Sequence, residues 1–315
     1  MVFSAAMLHR ARSAIARFAG RPRRDELDER LYQLTRDVTF LRSLAMAPLV
    51  ARLASELSQR DLLRLHELRM YSQNGEDGLL SYLFARLGTA SRKVVEIGVQ
   101  DGSECNARNL IDTFGWWGLL VEGDQRSAAG ARALYAGRAQ VREAFITREN
   151  VNNVLADAAG EIDLLSIDID GVDYWVWDAI TAVRPRVVII EYNAYLPPQE
   201  FRVVEYQPGF RRYELHPSGF YFGASLEAYR SLGESKGYVL VACESAGANA
   251  LFVQRDEATR AGLHPLTAGE AYYPLTSGSK RRPAPADAFA QIAGMPFVTA
   301  GASRPVARAV GGRDR

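Results

Sequence analysis

The residues whose types and spacing could do chemistry fall at four places. Glu96-Ile97-Gly98-Val99-Gln100-Asp101-Gly102 couples two carboxylates to two glycines. Gly98 lets the backbone turn tightly against a ligand, and Gly102 leaves a second unhindered position before the next helix. Leu119-Leu120-Val121 ends at Glu122, 26 residues beyond Glu96. A carboxylate at such a strand end accepts hydrogen bonds from both hydroxyls of a ribose. Further on, Leu164-Leu165-Ser166-Ile167 leads into Asp168 and Asp170, which share a face if the strand runs that far. Ile189-Ile190-Glu191-Tyr192-Asn193 supplies a fourth strand end. Asp168, Asp170, Glu191 and Asn193 form a hard oxygen set that could hold a divalent cation and acidify a substrate hydroxyl. The same groups could instead hydrogen-bond substrate hydroxyls or cap helices with no metal. Asp168, Asp170 or the loop residue His216 are the candidate bases. Cys105 has no paired histidine in its motif and reads as a packed thiol, and Tyr174, Trp175 and Trp177 as packing on a sheet.

These residues must be positioned by strand ends. Short β-rich runs recur at Val94–Ile97, Leu119–Glu122, Gln140–Ala144, Leu164–Asp168, Val187–Glu191, Tyr238–Ala242 and Ala250–Val253. Helical stretches starting near Asn106, Gln125, Val151, Tyr174 and Ser225 separate most of them, which predicts a parallel, doubly wound sheet. The last two runs are joined by Ser245-Ala246-Gly247-Ala248, too short for a crossover helix, so they predict an antiparallel hairpin. The fold class is therefore α/β and Rossmann-like, with a C-terminal antiparallel hairpin and an N-terminal helical extension. Ligands of open α/β sheets bind beyond the carboxyl ends of the strands, where the acids and glycines lie.

The flanks have a different texture. The chain has 315 residues, with 38 basic and 37 acidic side chains, so its formal charge is +1. That near-neutrality gives no argument for nucleic acid as a partner. Two cysteines exclude a disulfide framework. Residues 1–24 carry Arg10, Arg12, Arg17, Arg21, Arg23 and Arg24 and no acid. They suit a basic amphipathic helix on an anionic membrane, an organellar transit peptide or a solvated terminus. Leu27, Leu31, Leu34, Val38 and Leu41 alternate spacings of four and three. Residues 25–69 thus read as a helical extension, packed on its own domain or forming a short coiled coil that could support a homodimer. Residues 70–275 form the principal domain, and 276–315, rich in Ser, Gly, Pro, Arg and Ala, an expected low-order tail. No apolar run is long enough to span a membrane, which predicts a cytoplasmic protein, with peripheral contact at the inner membrane face through residues 1–24 as an open option.

Several segments in order resemble FkbM-type methyltransferases. They are Tyr71-Ser72-Gln73-Asn74-Gly75-Glu76-Asp77-Gly78, the Glu96–Gly102 loop running on to Leu110, Asp168–Trp177, Glu191-Tyr192-Asn193 and Tyr221–Leu226. The resemblance covers about residues 70–255 and implies a class I fold using S-adenosylmethionine. It implies O-methylation of a small-molecule or glycan acceptor: a saccharide, glycoconjugate or secondary metabolite. By the same resemblance Glu96, Gly98 and Asp101 would line the methionine and ribose side, and Glu122 the ribose hydroxyls. Ser72, Gln73 and Glu76 would cover the pocket, and Arg142 and Phe145 could flank the adenine. A nicotinamide-dependent oxidoreductase is disfavoured, because no G-x-G-x-x-G is present and a pyrophosphate would meet Glu96 and Asp101. A third reading is a non-catalytic scaffold that recruits a glycan-assembly partner through the leucine-periodic segment.

Overall fold

The computed structural model describes residues 57–276 and 283–299. The chain divides into two compact units, Met1–Leu49 and Val50–Arg315, and the described residues belong to the second. The basic segment 1–24 and the heptad-like leucines of 27–41 lie outside the described residues. No helix among the described residues is long and apolar enough to cross a membrane.

Seven strands form the main sheet: β1 (Lys93–Ile97), β2 (Trp117–Glu122), β3 (Gln140–Glu143), β4 (Gly160–Ile167), β5 (Val183–Glu191), β7 (Tyr238–Cys243) and β8 (Asn249–Gln254). Their order is β3-β2-β1-β4-β5-β8-β7. The first five are mutually parallel, β8 runs antiparallel to β5, and β7 closes the hairpin. This is the doubly wound, Rossmann-like arrangement with an antiparallel C-terminal hairpin that the β-rich runs predict. Successive residues of the central strands enter opposite cores. Val95, Ile97, Leu165, Ile167, Val188 and Ile190 meet Trp175, Val176, Trp177 and Tyr229 on one face. Val94, Leu120, Leu164, Val187 and Ile189 meet Leu79, Leu80, Leu83 and Phe84 on the other. Burial on both faces is why these strands read as continuous Val/Ile/Leu runs. Tyr174, Trp175 and Trp177 are buried packing residues, as expected.

The C-terminal region departs from the expectations. A small second sheet pairs β6 (Arg202–Val204) with β9 (Phe297–Thr299). Consequently the segment expected to be a low-order tail contains structure: a helix at Pro285–Ile292 and the strand β9. Phe297 packs edge-on to Tyr221, and Arg202 lies over the Phe289 ring, so apolar contacts anchor a segment whose composition alone suggested none. The end of the expected helical extension is also built into this unit. Ser58 caps the helix Gln59–Arg64, and Gln59 hydrogen-bonds the carbonyls of Val241 and His264, each at 2.9 Å.

The register of the central strands is pinned at their amino ends by Asp163 of β4. Its buried carboxylate accepts the backbone N–H groups of Ala90, Ser91 and Arg92, just before β1, and pairs with Arg186 of β5 at 2.7 Å. Burial pushes this carboxyl up, but the Arg186 guanidinium and the three N–H groups outweigh it and hold it below the usual range. One side chain thereby ties together the three strands whose opposite ends carry Glu96, Asp168 and Glu191. Asp163→Ala should cost about 3–5 kcal/mol in urea unfolding at pH 7, the range for removing one partner of a buried pair. Because the carboxyl is depressed in the folded state, its contribution is present above about pH 4 and is lost as the pH falls below.

Candidate active site

The carboxyl ends of the strands open into two cavities that meet at β1 and β4. The first, of about 270 Å³, is lined by Gln73, Glu76, Glu96, Asp101, Asp168, Asp170, Glu191, Arg212, Tyr213 and Asn249 among others. The second, of about 290 Å³, is lined by Glu122, Gly123, Asp124, Phe145, Ile146, Phe210 and Arg211 among others. Gly98, Gln100, Asp168 and Asp170 line both. Gly98 has φ +89°, and a Cβ there would lie 1.6 Å from the Asp168 carbonyl oxygen, so no larger residue fits this crossing. Gln100 and Asp170 flank it with left-handed backbones, φ +51° and +56°. Such conformations persist where neighbours over-determine them. Here Glu122 accepts the Gln100 N–H at 2.7 Å, and Asp173 accepts those of Ile169 (2.8 Å) and Gly171 (3.0 Å).

Most of the acids bind backbone as well as line cavity. Glu96 accepts from the N–H groups of Asn106 (3.0 Å) and Ala107 (2.7 Å), and burial pushes its carboxyl up to about 7. Glu122 holds Asp124 N–H at 2.8 Å besides Gln100. Asp101 accepts from Ser103 N–H and hydroxyl, which depresses its carboxyl. Glu76 takes Asn74 N–H (2.8 Å) and the Asn249 side-chain amide (2.8 Å). Gln73 reaches across to Glu104 at 3.0 Å, joining the segment before the helix Glu76–Leu87 to the loop after β1.

Asp168, Asp170 and Glu191 form a group whose carboxylate oxygens lie within 4.8 Å of one another. Asp170 reaches the group by the left-handed turn after β4, not by strand alternation, because β4 ends at Ile167. Burial and the charge of Asp170 push the Asp168 carboxyl well up, and burial and Asp168 do the same to Glu191. The close approach of these carboxyls is part of the cause, since each negative charge disfavours ionisation of its neighbour. Glu191 Oε2 is buried with no partner. Arg212 pairs with Asp170, donates to the Gly219 carbonyl at 2.9 Å and lies 3.9 Å over the Phe222 ring.

Four expected site residues lie elsewhere. Asn193 is not a ligand of the acidic group: the chain leaves β5 at Glu191 and turns. Its amide then donates to the carbonyls of Phe220 (2.8 Å) and Phe222 (2.9 Å) and accepts Tyr195 N–H. His216 lines neither cavity and bonds Ser218 Oγ at 2.8 Å in its own loop. Ser72 is buried against Asp77, whose carboxylate also accepts the N–H groups of Met70, Tyr71 and Ser72. That grip shapes the segment, while Gln73 and Glu76 face the cavity. Arg142 turns away to Val154 and Asp157, whereas Phe145 lines the second cavity. Cys105 is a buried thiol held to the Val99 carbonyl. Residues not anticipated are Arg212, Tyr213 and Asn249 in the first cavity and Phe210 and Arg211 in the second. Their placement depends on the route of residues 205–223 and on β8 lying beside β5, which no local pattern encodes.

No family model and no curated protein matches the sequence. Solved structures are similar at low identity. One is the O-methyltransferase TomG from Streptomyces achromogenes, involved in tomaymycin synthesis and bound to S-adenosylmethionine (16% identity, 59% of this chain and 83% of that one, TM-score 0.39). Another is an O-methyltransferase from Bacillus cereus with S-adenosylhomocysteine (15%, 69% and 91%, TM-score 0.37). A third, from Galdieria sulphuraria, is assigned as a sarcosine dimethylglycine methyltransferase (17%, TM-score 0.37), and the chain spans 62% of its length.

Raised carboxyls in and around the site give the fold a signature in stability. Burial pushes Glu67 up to about 6, Glu96 to about 7 and Glu244 to about 8. The folded state therefore holds protons that the unfolded chain releases near its ordinary carboxyl pKa. Stability should fall as the pH rises from about 5 to 8, because the unfolded state then binds fewer protons than the folded one. Urea midpoints measured across that range at constant ionic strength check the sign, and a rising midpoint would contradict it.

Proposed function

We propose that the chain is an S-adenosylmethionine-dependent methyltransferase of the FkbM type that methylates a hydroxyl of a saccharide, glycoconjugate or secondary metabolite. The observation that carries this reading is the pair of cavities meeting at the Gly98–Asp168 crossing. On one side lies a nucleoside-sized slot with a ribose-ready carboxylate, and on the other the close carboxyl group of Asp168, Asp170 and Glu191. Glu122 and Phe145 would hold the nucleoside, and Gln73, Glu76, Glu96, Gly98 and Asp101 the amino-acid end. The donor set fits: the first cavity is lined by seven carboxylates and one arginine, which suits a sulfonium and an ammonium and repels a pyrophosphate. When bound, the cofactor supplies an activated methyl, its sulfur keeping the C–S electron pair as the new O–CH3 bond forms.

The protein then has two tasks, in-line placement and removal of the hydroxyl proton. We assign the second to Glu191 and Asp168, whose carboxylate oxygens lie within 4.8 Å of each other: one carboxyl accepts the proton beside its neighbour. Arg212 keeps Asp170 paired beside them. A second reading is favoured by the 4.8 Å grouping of Asp168, Asp170 and Glu191, which could hold a divalent cation that acidifies the same hydroxyl. The Arg212–Asp170 pair competes with such an ion for Asp170.

Calorimetric titration with S-adenosylmethionine tests the main reading directly. Glu122→Ala should weaken binding by about 1.5–3 kcal/mol, the range for a hydrogen bond to a charged group. Glu191→Gln should lower kcat by about 10²–10⁴, the usual share of a general base, and weaken cofactor binding less than Glu122→Ala does. Transfer that EDTA does not reduce and magnesium does not raise would reject the cation and leave the carboxyl pair as base.

A further inference from the structure

Arg211 and Arg212 are consecutive, yet they line different cavities. Phe210 packs on Gly171 and lines the second cavity, and Tyr213 lines the first. The same short segment thus supplies residues to both sides of the crossing. Within the second cavity Phe145 is 46% exposed, unusual for a large ring at the floor of a cleft. The Arg211 guanidinium lies 5.7 Å from the centroid of that ring. Its other recorded partner is Glu214, at 3.8 Å across an exposed pair. Among the described residues only this contact and the exposed Glu214 pair hold the guanidinium, so a flat group can enter between it and Phe145 by a swing of one solvated side chain. Aromatic rings and guanidinium planes both stack on a nucleobase face.

We infer that Arg211 and Phe145 form the two walls of an adenine slot, with Arg211 as its movable outer wall. The inference rests on the nucleoside assignment made above and adds a binding residue from a segment whose sequence carries no nucleoside motif. Phe210, fixed against Gly171, sets the depth of the slot, and Glu122 at the end of β2 is left for the ribose.

The test is calorimetry on the full chain with adenosine and with S-adenosylmethionine as separate probes, comparing wild type, Arg211→Ala and Arg211→Lys. Stacking predicts that Arg211→Ala weakens both probes by about fivefold or more, within the range of a desolvated cation–π contact, and that lysine restores only part of it. Phe145→Leu in the Arg211→Ala background should add less than it does alone, since the two walls act on one ring. Adenosine affinity unchanged in Arg211→Ala, or fully restored by lysine, overturns the slot while leaving the methyltransferase reading intact. Adenosine bound by wild type and weakened by Arg211→Ala, with no binding of S-adenosylmethionine, supports the slot and rejects that reading. Binding of neither probe by the wild type rejects both. Urea midpoints of the variants separate loss of the slot from loss of the fold.

Discussion

The site depends on one steric constraint, the contact between Gly98 and the Asp168 carbonyl. Two adjacent parallel strands end side by side here, and their loops must diverge without room for a side chain between them. The backbone on each side is left-handed at the next turn, at Gln100 and at Asp170. Each non-glycine residue in that conformation is held by a carboxylate that takes neighbouring N–H groups, Glu122 for one loop and Asp173 for the other. The crossing therefore divides the cleft in two, and the acids that enforce it form part of the lining or lie directly beneath it.

That double duty explains the charge distribution. A carboxylate removed from water is costly unless its oxygens find donors, and loop N–H groups beyond strand ends need acceptors. Glu96, Glu122, Asp163, Asp173 and Glu244 each satisfy several such groups. Asp168 and Glu191 are different. Glu191 Oε2 is buried with no partner among the described residues, so the pair holds acceptor capacity that they do not use. A chain whose formal charge is only +1 thus concentrates carboxylates at the carboxyl ends of its central strands.

Much of the architecture was legible because the central strands are buried on both faces and appear as unbroken apolar runs. All seven strands of the main sheet were anticipated to within a few residues, and the hairpin followed from a turn too short for a helix. The three-residue strands β6 and β9 were not, since each has too few residues to show a period and they pair across most of the C-terminal half. The acidic strand ends were identified correctly as positions, but alternation misjudged what happens one residue past a strand. Asn193 turns away to cap two carbonyls, whereas Asp170 is brought back by a turn that alternation does not describe.

The least legible part, residues 205–223, is where the two cavities acquire their distinct character. Its arginines carry no motif, and in sequence they look like any exposed pair. Their meaning comes from Phe210 packing on Gly171 and from the Gly223 N–H bonding the Gly171 carbonyl at 2.7 Å, which lay the segment across the crossing. Once it lies there, one residue's difference in position sends successive side chains to opposite sides of the Gly98–Asp168 contact. Arg212 joins the acidic group through Asp170, and Arg211 stands over Phe145. The distinct character of the two cavities thus follows from topology and is invisible to any reading of residue types.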